Sequence, residues 1–313
     1  MAVAQELPVH PQASFFGAGP YPARRGAVAV VAVLAGFVLT AIWSAPFVDS
    51  VIGDSVANGL LGHDAKATPI SGVLAGTLFA FVSGLAGSFT ACNIAAFGAV
   101  APLVGGQAGE KRRFATTLKP LGWIAAGMLT VSVVYGVIVA LVGTRMPQFS
   151  TAQATGLSPR SVQSMIAFGV VGLVFLLLGM AALGILRTPA FLRRHPAAPL
   201  VLMGALIGGF LIGRPYPLFR IMFRSAAEQH NVLYGAAAFA LQSVGNIVVM
   251  AVLFLLLTHA TGGRVQRWLA AKPARIATVT GAALLVGGTF TLLYWDVRVL
   301  GRLGIIWFPM VNW

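Results

Sequence analysis

The sequence predicts an all-α integral membrane protein of about seven transmembrane helices, six of them forming a 3+3 inverted repeat with two broken helices, plus one N-terminal accessory helix. Three observations point there. Of the 313 residues, 58% are hydrophobic and 9% charged, where soluble domains carry about 25% charged residues, and the mean hydropathy is +0.88. Apolar runs long enough for the ~20 residues of a span recur at roughly 27–47, 71–104, 120–143, 162–186, 199–223, 233–258 and 276–295. Two of these runs are punctuated by glycine and broken near their middles, around Cys92 and around Tyr216.

Taken in order, residues 1–26 are rich in Pro, Ala and Gly without periodicity and read as a disordered cytoplasmic tail. The run at 27–47 exceeds the 7–15 apolar residues of a signal-peptide core, so it reads as a retained accessory helix. A first three-helix unit then occupies 71–187, a second 199–296, and residues 297–313 form an outer tail. In that tail Trp307, Phe308 and Trp313, with Arg298 and Arg302, read as an interfacial aromatic belt.

The net charge of +14 does not signal a nucleic-acid partner, because the basic residues are separated by spans and build no basic domain. They act instead as topology determinants. With strict alternation, Arg24, Arg25, Lys111, Arg112, Arg113, Lys119, Arg187, Arg193, Arg194, Arg264, Arg267, Lys272 and Arg275 share one side. Only Lys66, Arg145, Arg160, Arg224, Arg298 and Arg302 fall on the other. The positive-inside rule therefore predicts an inner-membrane protein with its N-terminus cytoplasmic and its C-terminus outside.

Internal similarity supports the two units. Aligning Cys92 with Tyr216 sets Gly84 opposite Gly208 and Thr90-Ala91-Cys92-Asn93 opposite Arg214-Pro215-Tyr216-Pro217. Behind these spans, Gly127 and Gly136 face Gly235 and Gly245, and Gly172 and Gly179 match Gly281 and Gly288. Three helices per unit is an odd number, so the copies cross the bilayer in opposite senses, the plan of alternating-access carriers.

Irregular backbone is tolerated in a bilayer only where protein or a water-filled cavity covers it, so the two breaks are expected to meet at the midplane. Gly84, Gly87, Ser88, Thr90 and Asn93 would bring close backbone approach and hydrogen bonds from the first break. Gly204, Gly208, Gly209 and Gly213 give small-residue packing on the approach to the second. There Pro215 and Pro217 end regular helix, each lacking an N–H and turning its predecessor extended. Arg214 sits where a charge costs at least about 2.5–3.5 kcal/mol to insert. The seven acidic residues, Glu6, Asp49, Asp54, Asp64, Glu110, Glu228 and Asp296, all lie in tails, connections or span ends. The expected partner of Arg214 is therefore either backbone carbonyl groups released by the broken helix or a bound anion, and a carboxylate proton relay is not expected.

The two broken helices and the repeat resemble the transmembrane domain of the CcdA/DsbD thiol-disulfide electron carriers, within the LysE-type transporter superfamily. In that family each repeat opens at a Pro-Cys-x-x-Pro sequence, and the two cysteines pass a disulfide across the membrane. Here the first motif stands as Ala91-Cys92-Asn93-Ile94-Ala95, with the thiol and neither proline; the second stands as Pro215-Tyr216-Pro217-Leu218-Phe219, with the first proline and Tyr216 in place of the thiol. The resemblance covers roughly 71–295 and implies a membrane thiol-redox component of the cytochrome c biogenesis type, with Cys92 as the catalytic residue and a thioredoxin-like or other thiol protein as partner.

Cys92 is the only cysteine, and exchange resolves a mixed disulfide through a second thiol, so the family's internal relay cannot run in this chain. Three accounts of Cys92 stand: a transient mixed disulfide with another protein, a soft-metal ligand beside Asn93 or methionines, or a buried packing residue. Two further readings of the whole chain accompany the redox one. It is a carrier for a small anionic or soft thiol-reactive solute, with Thr90, Asn93, Arg214, Pro215, Tyr216 and Pro217 lining its cavity, or a non-catalytic scaffold. No cofactor is expected: the five histidines are scattered without ligand spacing, and there is no Walker, Rossmann or nucleophile-elbow sequence.

Overall fold

The computed structural model describes residues 21–44, 47–68, 70, 72–89, 93, 114–150, 157–195, 197–260, 264, 268–269 and 271–311. Among them the chain is helical, with no strand. Helix α1 is Arg25–Ile42, and a π-helical turn at Phe47–Gly53 leads into α2 (Asp54–Leu61). There follow α3 (Gly72–Ala86), which tightens to a 3₁₀ turn at Gly87–Phe89, α4 (Phe114–Val142) and α5 (Pro159–Ala182). The second half contains the short α6 (Ala190–Arg194), α7 (Ala198–Gly213), α8 (Pro217–Gln229) and α9 (Val232–Ala260). Last come α10 (Pro273–Leu292) and, across a π-helical turn at Leu293–Val297, α11 (Arg298–Arg302).

Five helical stretches are long and apolar enough to cross a membrane: Arg25–Ile42, Lys119–Arg145, Pro159–Ala182, Val232–Leu256 and Ala274–Arg302. Together α7 and α8 pass the same test as a pair bent by 81°. The molecule is thus a multi-pass membrane protein of about five or six spans among the described residues. The apolar run expected at 71–104 is seen as the 15-residue α3; Asn93 apart, residues 90–104 lie outside the described residues, as does the tail through residue 20.

The bend between α7 and α8 follows from the sequence. Arg214 and Tyr216 each precede a proline and both are extended (φ −69°, ψ 119° and φ −52°, ψ 128°), because the proline ring clashes with a helical predecessor. Pro217 then begins α8 at its first position, where the missing N–H costs nothing. The carbonyls exposed at the end of α7 are met by side chains. Ile212 O accepts from Gln148 Nε2 at 2.5 Å and Gln163 Nε2 at 2.7 Å, and Gly213 O accepts from Ser164 Oγ at 2.7 Å.

Small residues set the helix crossings. The principal packing pairs are α3 with α9, α7 with α4, α4 with α9, α5 with α10, and α1 with α10. A Cβ on Gly84 would meet the Gln242 carbonyl oxygen at 2.0 Å, and one on Gly204 the Ile124 carbonyl oxygen at 1.9 Å. A Cβ on Gly245 would run into Phe81 O and Leu85 N; one on Gly127 would run into Val201 O and Ala205 N. Between α5 and α10, Gly172 lies against the Gly288 carbonyl and Gly179 against that of Gly281, and the reverse contacts are as close. Without a hydrophobic driving force between helices in lipid, such close van der Waals approach is the main cohesion available. Polar side chains supplement it, as in the Ser132–Ser243 hydroxyl pair at 2.5 Å between α4 and α9.

The C-terminal segment departs from the expected surface belt. Trp307 is exposed, but Phe308 is buried and its ring meets Phe37 of α1 edge-on at 5.8 Å. Arg298 is 3% exposed and donates to the carbonyls of Thr40 at 2.5 Å and Trp43 at 2.8 Å. It closes the end of α1, whose last carbonyls have no helical partner. Trp313 lies outside the described residues.

Candidate functional site

The bend between α7 and α8 opens onto a cavity of about 230 Å³. Its wall is drawn from both halves of the chain. Arg214, Pro215 and Tyr216 come from the bend, while Asn93 and Asn246 come from the end of the first broken segment and from the middle of α9. Val48 and Asp49 come from the π-helical turn after α1, and Phe290, Tyr294, Trp295 and Arg302 from the last span. Trp43, Phe168, Ile207 and Phe210 complete it. The aromatic side is tightly built: Phe168 stacks on Trp295 at 4.4 Å between centroids, Phe290 stacks on Tyr294 at 5.1 Å, and Trp43 meets Phe290 edge-on at 5.4 Å.

Arg214 is 6% exposed and donates from Nη2 to the carbonyl of Gly87. Asn93 Nδ2 donates to the same carbonyl at 3.3 Å. The 3₁₀ turn at Gly87–Phe89 thus supplies a carbonyl outside the regular helical ladder, and a Cβ at Gly87 would lie 2.1 Å from Arg214 Nη2 and push the guanidinium off its place. The guanidinium also sits 5.4 Å from the Tyr216 ring centroid, an attraction of about 0.5–2 kcal/mol depending on how fully the pair is dehydrated. Next to Gly87, Ser88 Oγ bonds Asn246 Oδ1 at 2.7 Å and the Gly84 carbonyl at 2.9 Å, which fixes the carboxamide. Gly84 and Gly87 therefore have separate tasks, the first in helix packing and the second beneath the arginine.

The Gly87 bond is the backbone-carbonyl partner expected for Arg214, and Asp49 adds a carboxyl near it that the sequence did not indicate. The π-helical turn folds the connection back over the bend, so that Asp49 lines the same cavity as the guanidinium. Burial pushes its carboxyl up from 3.8 to about 6, against the downward pull of the Arg214 charge. Removing water from a carboxylate disfavours its charged form more than this neighbour restores it. Tyr216 stands beside the same turn. Its ring is buried, its hydroxyl has no hydrogen-bond partner, and a Cβ on Gly53 would fall 2.5 Å from that oxygen.

Arg302, exposed as expected, also lines the cavity, from α11. Its Nη2 donates to the Tyr294 hydroxyl at 3.3 Å and its charge lies 5.4 Å from the Tyr294 ring, which Arg298 approaches to 5.0 Å. Two guanidiniums, one carboxyl and two carboxamides thus converge in a mainly aromatic chamber. Arginine forks match planar oxyanions, and aromatic faces accept an apolar body.

Of the residues the sequence singled out, Asn93, Arg214, Pro215 and Tyr216 meet in this cavity. Pro217 is not in its wall and starts α8 instead. Gly208 packs on the Met128 carbonyl, Gly209 touches Val171 at an ordinary 3.5 Å, and Gly213 lies against Phe168 and Ser164. Cys92 and Thr90 lie outside the described residues. Sequence reasoning missed Asp49, Asn246, Trp43 and the Phe290–Tyr294–Trp295 wall. The one signal for Asn246 was a carboxamide in the interior of an apolar run, which is costly unless satisfied. Among the described residues no cluster of three His, Cys, Asp or Glu side chains is placed to hold a metal ion. Compared with protein-family models, curated proteins and solved structures, the chain matches none.

Proposed function

We propose that this protein is an alternating-access carrier of the inner membrane that binds a small anion, one with a planar charged group and an apolar body, between Arg214 and Arg302. The observation that carries the reading is a buried guanidinium, Arg214, in a small aromatic cavity at a helix break, with the exposed Arg302 also in its wall. With Asp49 ionised the three charged groups sum to one positive charge, which favours a monovalent anion. The bilayer and the solute are then its only required partners.

The carrier reading includes the seven-span, 3+3 inverted-repeat plan, with α3 opening the first unit and α7–α8 the second, the N-terminus cytoplasmic and the C-terminus outside. The glycine contacts support it. Gly84 against Gln242 has its counterpart in Gly204 against Ile124, and Gly245 against Phe81 and Leu85 in Gly127 against Val201 and Ala205. Gly172 against Gly288 likewise corresponds to Gly281 against Gly179. This register keeps the Gly172/Gly281 and Gly179/Gly288 pairs of the sequence alignment. It moves Gly84 one helical turn, from Gly208 to Gly204, and pairs Gly127 with Gly245.

Binding of benzoate to the full-length protein in detergent, read by quenching of tryptophan fluorescence, tests the reading. Trp43 and Trp295 line the cavity. Arg214→Gln and Arg302→Gln should each weaken binding by about tenfold or more, the usual worth of a charge-assisted hydrogen bond. Benzoate binding that both variants leave intact would sink the reading.

The second reading is the thiol-redox one, in which Cys92 exchanges with a thioredoxin-like partner. It is favoured by one observation, that Asn93, the next residue in the chain, reaches the cavity wall. Gel-shift labelling of Cys92 in membranes before and after reduction separates the two. A thiol that reacts only after reduction supports exchange, and one that reacts equally in both states removes it.

A further inference from the structure

A second concave surface lies away from the cavity, on the flank of the bundle where α4, α5 and α7 meet. It is an apolar groove of about 800 Å³ lined by Val131, Leu157, Val162, Ile166, Ala205 and Gly209. Leu157, Val162 and Ile166 are exposed along it. The lining of α5 continues to Val171, so at 1.5 Å per residue the groove follows that helix for roughly 20 Å, enough for an acyl chain in a leaflet of about 15 Å. Gly209, whose nearest neighbour for an added Cβ is 3.5 Å away, gives the groove its depth.

Pro147 and Pro159 line this groove, and three arginines gather around the segment Phe149–Ser150, which follows Pro147 in the chain. Arg160 Nη1 and Arg220 Nη2 both donate to the Ser150 carbonyl, at 3.0 Å and 3.2 Å. Arg224 lies 4.6 Å over the ring of the preceding residue, Phe149, and reaches Glu228 at 3.7 Å. Arg220 Nε is buried with no hydrogen-bond partner among the described residues. Among the described residues one carboxylate, that of Glu228, pairs with one of these three cations, and the other two share a single neutral acceptor. Such a cluster is relieved by an anion with several acceptor oxygens.

We infer that the groove and the Arg160–Arg220–Arg224 cluster form a binding site for an anionic phospholipid, its phosphate held by the arginines and one acyl chain lying along α5. The charge selects the headgroup, and the apolar groove distinguishes a lipid from free phosphate. The site shares no residue with the cavity lining and does not depend on what that cavity binds.

Native mass spectrometry of the delipidated full-length protein, offered equal amounts of phosphatidylglycerol and phosphatidylcholine, tests this. About a tenfold preference for phosphatidylglycerol is expected, abolished in Arg160→Gln/Arg220→Gln. Val162→Trp, which fills the groove without touching a charge, should reduce phospholipid retention as well. Should the double variant fail to fold, Arg160→Gln alone, at the exposed start of α5, and Val162→Trp decide the matter. No headgroup preference in the wild type, or a preference that the arginine changes leave unaltered, would overturn the site. Retention unchanged by Val162→Trp, with inorganic phosphate displacing the lipid, would overturn the acyl-chain part and leave an anion site alone.

Discussion

Asp49 and Arg214 set the charge of the cavity between them. Burial lifts the carboxyl to about 6, so it is protonated below that pH and no longer offsets the guanidinium charge beside it. Above it the carboxylate competes for Arg214. Benzoate affinity should therefore fall as pH rises through about 6, and Asp49→Asn should hold it at its low-pH value throughout; fluorescence titrations across the range check this. The same shift acts on stability. Because the folded chain binds this proton more tightly than the unfolded one, the contribution is full below about pH 4 and is lost as pH rises through about 6. Asp49→Asn should accordingly raise the thermal midpoint near pH 8 and leave it unchanged near pH 4. Equal effects at both would mean that the carboxyl is not buried as described. Other charges face this group, Arg214 from the bend and Asp54 and Lys66 from α2 and the connection after it. The Lys66–Asp54 ion pair keeps much of the latter two's effect to itself.

Among elements, the helix crossings are the sharpest test of packing. Gly84→Val and Gly245→Val each force a side chain into the backbone of the facing helix, where overpacking costs typically about 1–3 kcal/mol. Both should lower the thermal midpoint in detergent, whereas Gly122→Ala, which has nothing within 4 Å of its added Cβ, should not. The bend offers a finer test. Ile212 O has donors from both Gln148 and Gln163, so Gln163→Leu alone should be mild and the Gln148→Leu/Gln163→Leu pair disproportionately destabilising; additive losses in a double-mutant cycle would argue against a shared acceptor. These elements were largely legible in the sequence, because Arg214-Pro215-Tyr216-Pro217 forbids helix by local sterics alone and glycine spacing marks close crossings. The turn carrying Asp49 was not. Nothing local announces a π-helical reversal at residues 47–53, and whether a connection folds inward is decided by what it packs on, here Tyr216 against Gly53. Arg302 was placed at the surface by composition and is exposed there; that it also borders the cavity was not legible, because this depends on the helical continuation past Trp295.

At the scale of the whole molecule, α3 packs on α9, α7 on α4 and α5 on α10 through close glycine contacts, and in the proposed inverted repeat these would be the contacts between two equivalent units. The proposed carrier would rock at this interface, where small residues on both sides leave few side chains to unpack. The cavity sits where α7 breaks, so rocking would expose Arg214 to one side of the membrane and then the other. Position 246, in the cavity wall on α9, reads that motion directly. In a Cys92→Ser background, Asn246→Cys should react with a membrane-impermeant maleimide added from either face of sealed vesicles, and benzoate should slow the reaction from both. Reaction from one face only, indifferent to benzoate, would contradict alternating access at this cavity.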